Sequence, residues 1–317
     1  MPGYAFATGM EFAAPAVDVL CAQGDPPALL IGYPPGLQHR SGYAPLAAVS
    51  AKHGIPLLET SDINDGQAIA YVERLGLDLF VVAGWSQLIR EPLLSACPLS
   101  AIGLHPTRLP AGRGRAPLPW TIIKGITTSA VTLFFLKPGV DDGDIIAQTE
   151  FTVSRRDDVA EVYRKVTEIN IALLAKYVPA ALRGEVTAVP QAPGGSSWPK
   201  RRPEDGVIDW TRPAAAVYDW IRALGSPYPG AFTTHHGRRL WIHSADLLDG
   251  ELGRDLQVQP GQVVGPVWST GTGGVLTGCG EGLVIIREIQ WDGGSRQDAL
   301  ALFESGDLAV GERLGVT

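Results

Sequence analysis

Cysteine is scarce. Cys21, Cys97 and Cys279 are the only three in 317 residues, too few and too far apart for a disulfide framework or a closely spaced pair of metal ligands. Long apolar runs are missing too. The longest, near residues 79–83 and 130–136, are of strand length, against the ~20 residues a membrane span needs. The opening Met1-Pro2-Gly3-Tyr4-Ala5-Phe6 lacks the basic start and apolar block of a secretory signal. Positive charge is in the minority: 26 Lys+Arg face 33 Asp+Glu, for a net charge of −7. That weighs against nucleic acid as the main partner, because phosphate neutralisation needs a basic face. These absences point to a reducing cytoplasm, no membrane and no metal. What is present, 45% hydrophobic and 19% charged residues, is enough apolar material for a globular chain of about two domains.

Strand and helix signals alternate through the first half. Apolar strands are expected at 4–7, 28–33, 56–59, 79–83 and 99–104, with helices at 11–23, 43–52, 65–75 and 90–97 between them. The unbroken Leu79-Phe80-Val81-Val82-Ala83 run fits a strand buried on both faces of a parallel sheet. The rhythm implies a Rossmann-like, doubly wound, mostly parallel α/β sheet. Two closer strands, 130–136 and 144–153, follow across a turn-rich loop. A helix at 158–177 is expected to stop before Pro179. Residues 191–204, rich in Pro, Gly, Ser and basic residues, read as a linker between a domain at 1–190 and a smaller one at 205–317. The second has a helix at 213–224 and short strands at 230–234, 239–244, 262–267 and 283–291, with a hairpin turn at His236-Gly237; it reads as β-rich and OB-like. Residues 309–317 are expected to be loose. Gly271-Thr272-Gly273-Gly274 lacks the Lys-Ser/Thr of a phosphate loop.

The chemistry concentrates in Gly103-Leu104-His105-Pro106-Thr107-Arg108-Leu109-Pro110, then Gly112-Arg113-Gly114-Arg115-Ala116-Pro117, and in Val140-Asp141-Asp142-Gly143-Asp144. His105 falls just past a strand end, where ligands of open α/β sheets bind. An imidazole there suits proton transfer or oxyanion stabilisation; the alternative is a strand-end histidine with a backbone partner. The three carboxylates are a cation site or a solvated turn, and they do not match an EF-hand loop. His235, His236 and His243 gather around the hairpin but lack a clear fourth ligand for a metal.

Taken together, the His-Pro-x-x-Leu-Pro segment, the Arg-Gly-Arg-Ala-Pro run and Val-Asp-x-Gly-Asp-Ile resemble the catalytic half of the 10-formyltetrahydrofolate-dependent formyltransferases. Gly84-Trp85-Ser86-Gln87-Leu88-Ile89 resembles their folate-side loop. Arg201-Arg202-Pro203-Glu204-Asp205-Gly206 and Pro227-Tyr228-Pro229-Gly230 resemble their C-terminal domain, nearest the branch that formylates amino sugars and small amines. The resemblance implies a transferase that moves a formyl group from 10-formyltetrahydrofolate to an amine, with His105 and Asp141 as catalytic residues. It implies that Gln87, Leu88 and Ile89 line the pteridine pocket, with Val140, Asp141 and Asp144 opposite, and that Arg113, Arg115 and Trp85 meet the substrate. The family places an Asn where this chain has Gly103. Asn64 and Asn170 are the only asparagines, and neither lies in that loop.

The resemblance leaves several activities open: formylation of a small-metabolite amine, formylation of methionyl-tRNA, hydrolysis of the donor or a variant one-carbon transfer in space opened at Gly103, and folate binding with little turnover. A homodimer is a further expected partner state.

Overall fold

The computed structural model describes residues 3–36, 42–248, 257–269 and 272–315. In chain order the first half contains β1 (Tyr4–Ala7), α1 (Ala13–Ala22), β2 (Leu29–Gly32), α2 (Ala47–His53), β3 (Leu57–Glu59), α3 (Gly66–Leu75), β4 (Leu79–Ala83), β5 (Ala101–His105), β6 (Arg113–Gly114), α4 (Pro117–Ile123), β7 (Thr128–Phe135), β8 (Ile145–Thr152) and α5 (Val159–Leu182). Then follow β9 (Ser197–Trp198), α6 (Ala214–Leu224), β10 (Ala231–His235), β11 (Arg238–Leu247), β12 (Val263–Ser269), β13 (Thr272–Gly278), β14 (Leu283–Trp291), β15 (Arg296–Asp298) and α7 (Ala299–Glu304).

The chain divides into two compact units. One runs to Pro117 and resumes over Thr127–Val153 and Val162–Lys200; the other holds Leu118–Ile126, Ser154–Glu161 and the chain from Arg201 onward. The first is built on a seven-stranded sheet in the order β3-β2-β1-β4-β5-β7-β8. Its first five strands are parallel, and β7 and β8 are antiparallel additions at one edge. Every residue of β4 is buried, as its apolar run requires for a strand covered on both faces. Helix α3 shows how local chemistry sets the boundaries. The Asp65 carboxylate accepts hydrogen bonds from the amides of Gln67 and Ala68, both at 2.8 Å, satisfying donors that an α-helix leaves unpaired at its start. Gly76 ends the helix in the left-handed region at φ 57°.

Two elements differ from expectation. Helix α5 continues through Pro179 to Leu182. Proline costs the helix one N–H bond there, but Val178 and Ala181 on either side of it are buried, so the packed face carries the helix onward. The helix expected at 90–97 shrinks to a single 3₁₀ turn, Leu93–Ser95. Among the described residues no helix is long and apolar enough to cross a membrane. The cysteines form no disulfide, and burial pushes the thiols of Cys97 and Cys279 up to about 11 and about 12.

The second unit is an antiparallel sheet in the order β10-β11-β14-β13-β12, with β15 on β14. The β10–β11 turn is His236-Gly237, with φ of 47° and 71°, the doubly left-handed geometry that matches the twist of paired strands. Residues 309–315 are not loose. Gly311 N–H donates to Val263 O, Leu314 N–H to Gly261 O and Gly315 N–H to Thr234 O, at 2.8 to 2.9 Å. The Gly271–Gly274 run begins outside the described residues; from Thr272 onward it is the start of β13.

Candidate active site

Strand β5 delivers His105 at its carboxyl end. Because side chains alternate along a strand, Gly103 and His105 share one face of the sheet. Strand β7 runs opposite to β5, pairing Phe134 with Gly103 and Thr132 with His105. The loop after β7 therefore starts at the far end of β5 and must double back over that face to come near His105. It does so: Asp141 Oδ2 lies 3.6 Å from His105 Nδ1. Two groups hold the loop in this return. The Gly114 amide donates to the same Asp141 oxygen at 2.8 Å. The Gln191 side-chain amide donates to the carbonyls of Asp141 and Gly143, both at 2.8 Å. Asp141 is left-handed at φ 48°, a conformation a non-glycine residue keeps only where its surroundings impose it.

The imidazole of His105 is 7% exposed. Its Nε2 lies 2.9 Å from the Gly112 carbonyl oxygen. A carbonyl only accepts, so Nε2 carries the proton, and Nδ1 is the nitrogen left facing Asp141. The backbone partner posed from sequence is thus present, on Nε2. At 3.6 Å the pair is longer than a hydrogen bond, as uncomplexed general bases commonly are. The Gly-Arg-Gly run completes the support. Gly112 and Gly114 have φ of 76° and 104°, and a Cβ on either would fall within 3 Å of Trp198. Parallel pairing of β6 with β9 sets that close approach.

Gly103 does not open a space. A Cβ there would sit 2.6 Å from Leu136 Cδ2 and 3.6 Å from Phe134 Cζ. Leu136, the first residue after β7, packs against the core cluster that includes Val82, Ile89 and Ala101. The volume expected to admit solvent or a bulkier group is filled by a leucine because the returning loop lays Leu136 across the glycine. Beyond His105, Thr132 Oγ donates to Thr107 O at 2.7 Å and accepts from the Gln148 side chain at 2.9 Å. The Thr107 hydroxyl is buried with no hydrogen-bond partner.

Of the expected ligand residues, Leu88 and Val140 are exposed, at 47% and 44%, whereas Ile89 is buried in the core. The Gln87 carboxamide is occupied: its oxygen accepts from Ile63 N and Trp85 Nε1, and its nitrogen donates to Ser61 O. It braces the loop. Trp85 stacks on Tyr33 at 3.9 Å between ring centroids, an intramolecular partner for one of its faces. Arg113 is turned onto Gln191 Oε1 at 2.6 Å, because residues 191–198 run beside it, and so is not directed at an anion. Arg115 is exposed. Asp144 pairs with Lys137 at 2.8 Å. Sequence reasoning missed Leu136, Gln191 and Asn64. Asn64 clips the 88–90 loop, donating to Leu88 O and accepting from Arg90 N. No local motif marks any of the three, since each acts through a contact distant in sequence.

With this geometry in view, the comparisons fall into line. The formyl transferase family model matches residues 29–178, and the model for the formyl transferase C-terminal domain matches 200–306. The methionyl-tRNA formyltransferase of Symbiobacterium thermophilum is 30% identical over 96% of this chain and 92% of its own. That of Syntrophus aciditrophicus is 30% identical over 96% of both. Among solved structures, HypX from Aquifex aeolicus superposes with a TM-score of 0.66 at 18% identity, over 98% of this chain; the chain spans about half, 48%, of that protein. The N-formyltransferase of Helicobacter canadensis, in complex with folinic acid and dTDP-3-aminofucose, gives 0.65 at 14% identity over 90% of this chain and 99% of its own. The sheet order, the paired His105 and Asp141, and sequence likeness through both units make this chain a member of the formyltransferase family, an enzyme of formyl transfer.

Proposed function

We propose that the chain moves a formyl group from 10-formyltetrahydrofolate to the amine of a small metabolite, and that His105 and Asp141 carry the proton transfers. The observation behind this reading is the fixed imidazole: Nε2 tied to Gly112 O and Nδ1 left toward a carboxylate 3.6 Å away. The donor is a substrate that supplies the one-carbon unit. Side chains suited to pack on the faces of a flat ring are present, since Leu88 and Val140 are two of the exposed large apolar side chains and lie on the two expected loops. In the step, the amine nitrogen bonds to the formyl carbon, His105 Nδ1 takes the amine proton, and Asp141 stabilises the imidazolium. The same proton then passes to the departing folate nitrogen as its bond to the formyl carbon breaks. With Leu136 over Gly103, the imidazolium is the charged group near the developing oxyanion, in place of the amide the resemblance leads one to expect.

A second reading, formylation of methionyl-tRNA, is favoured by the 30% identity over nearly the full length of two enzymes of that name. The net charge of −7 favours the small acceptor. Hydrolysis draws no support from Gly103, whose space holds Leu136. The test supplies 10-formyltetrahydrofolate with a panel of amino sugar nucleotides and amino acids, or with charged initiator tRNA, and follows tetrahydrofolate release. Release that depends on a small amine, and falls ~10²-fold or more in Asp141→Asn, supports the reading. Release only with charged tRNA, or equally without any amine, overturns it.

A further inference from the structure

The β10–β11 hairpin places two imidazoles against the C-terminal segment. His235, at the end of β10, is 1% exposed, and His236 occupies the turn with its ring centroid 4.1 Å from that of His235. Glu312 reaches both, its Oε2 3.3 Å from His235 Nε2 and its Oε1 3.1 Å from His236 Nε2. The carbonyl oxygen of Asp307 lies 3.2 Å from the same His235 Nε2. That nitrogen faces two oxygen acceptors and has at most one proton to give, while His235 Nδ1 is buried with no hydrogen-bond partner. Zinc bonds of about 2.0–2.1 Å in a tetrahedron put ligand atoms roughly 3.3 Å apart, and the contacts of His235 with Glu312 Oε2 and Asp307 O and of His236 with Glu312 Oε1 lie near that spacing. One donor atom from each of His235, His236 and Glu312 lies within 4.8 Å of the others. His243 is not part of the group; it bonds Gln290 Oε1 at 2.8 Å. With two histidines in the group, the third and fourth ligands come from Asp307 and Glu312, more than 70 positions away.

We propose that His235 Nε2, His236 Nε2 and the Glu312 carboxylate, with the Asp307 carbonyl completing the set, bind a zinc-class divalent cation that clips the C-terminal segment to the β10–β11 hairpin. The ligand types suit zinc or cobalt over calcium or magnesium, since imidazole nitrogen is a poor partner for the harder ions. It is a structural site, independent of His105 and of the acceptor.

The test titrates the chelator-treated full chain with zinc chloride by calorimetry, and with cobalt(II) by visible absorption. The expected result is one saturable site per chain, a cobalt spectrum of tetrahedral intensity, and a higher melting temperature with zinc. His236→Ala and Glu312→Gln, both at partly or fully exposed positions, are each expected to weaken zinc binding at least tenfold while melting cooperatively. Absence of one-per-chain binding in the parent protein, or affinity within twofold of it in both variants, overturns the proposal.

Discussion

Leu136 decides what a side chain at position 103 can do. Its δ-methyl lies 2.6 Å from the point at which a Cβ would begin, so an asparagine placed there must push the end of the leucine side chain aside. Gly103→Asn alone is therefore expected not to raise formyl transfer and to lower the melting temperature, since over-packing costs about 1–3 kcal/mol. Combined with Leu136→Ala, the amide has room on the face that carries His105. The double variant is expected to exceed Gly103→Asn in kcat by at least tenfold, a fraction of what one oxyanion donor is worth. Steady-state kinetics of the parent, both single variants and the double variant check this; a gain in Gly103→Asn that Leu136→Ala does not increase would refute the coupling. At this scale the sequence was legible in one respect: His105 and Asp141, singled out by short motifs, lie 3.6 Å apart. Leu136 was not legible, because a leucine after an apolar strand looks like any core residue. Its importance comes from the reversal of the loop that follows it.

That loop shows how elements, and not motifs, position the site. Residues 191–198 form the brace: β9 pairs with β6 beneath Trp198, and Gln191 spans from Arg113 to the carbonyls of Asp141 and Gly143. Gln191→Ala leaves two carbonyls to water and frees a left-handed Asp141 to relax. The expected result is a kcat about tenfold lower, little change in melting temperature, and a changed pH profile as Nδ1 loses its aligned carboxylate. Gln191→Glu retains an acceptor for Arg113 but cannot donate to the carbonyls, so it is expected to behave like the alanine variant; a glutamate variant with parent kcat and pH profile would show that the bonds to the loop do not matter. The strands of the parallel sheet were legible from their apolar runs, and α3 from Asp65 and Gly76. The brace was not: a segment rich in Pro, Gly and Ser reads as a linker, and nothing local says that its backbone will pair with residues 113–114. Pro179 misled for the complementary reason, since burial of its neighbours outweighed one lost helical bond.

For the molecule as a whole, pH acts through histidines outside the candidate site. His243 sits part-buried on β11, and its pKa is lowered from 6.5, first by loss of solvation and also by the nearby Arg296, while the hydrogen bond its Nε2 donates to Gln290 Oε1 and the charge of Glu288 act in the opposite direction. A histidine whose folded pKa lies below its unfolded one is protonated first in the unfolded chain as acid is added. The unfolded state then binds more protons than the folded state, and stability rises with pH across that interval. The contribution is whole above the unfolded pKa near 6.5 and is lost as pH falls through the folded value. Melting temperature is therefore expected to drop between pH 7.5 and 5.5. His243→Gln retains a polar partner for Gln290 without a titrating group, so it should flatten part of that slope while leaving the pH dependence of kcat unchanged, because β11 belongs to the second unit and His105 to the first. Thermal melts of parent and variant across this range measure the difference directly. A variant with the parent's full slope would show that the ring's burial carries no weight in acid stability, and a variant with an altered kcat profile would show that the second unit's titration reaches the chemistry.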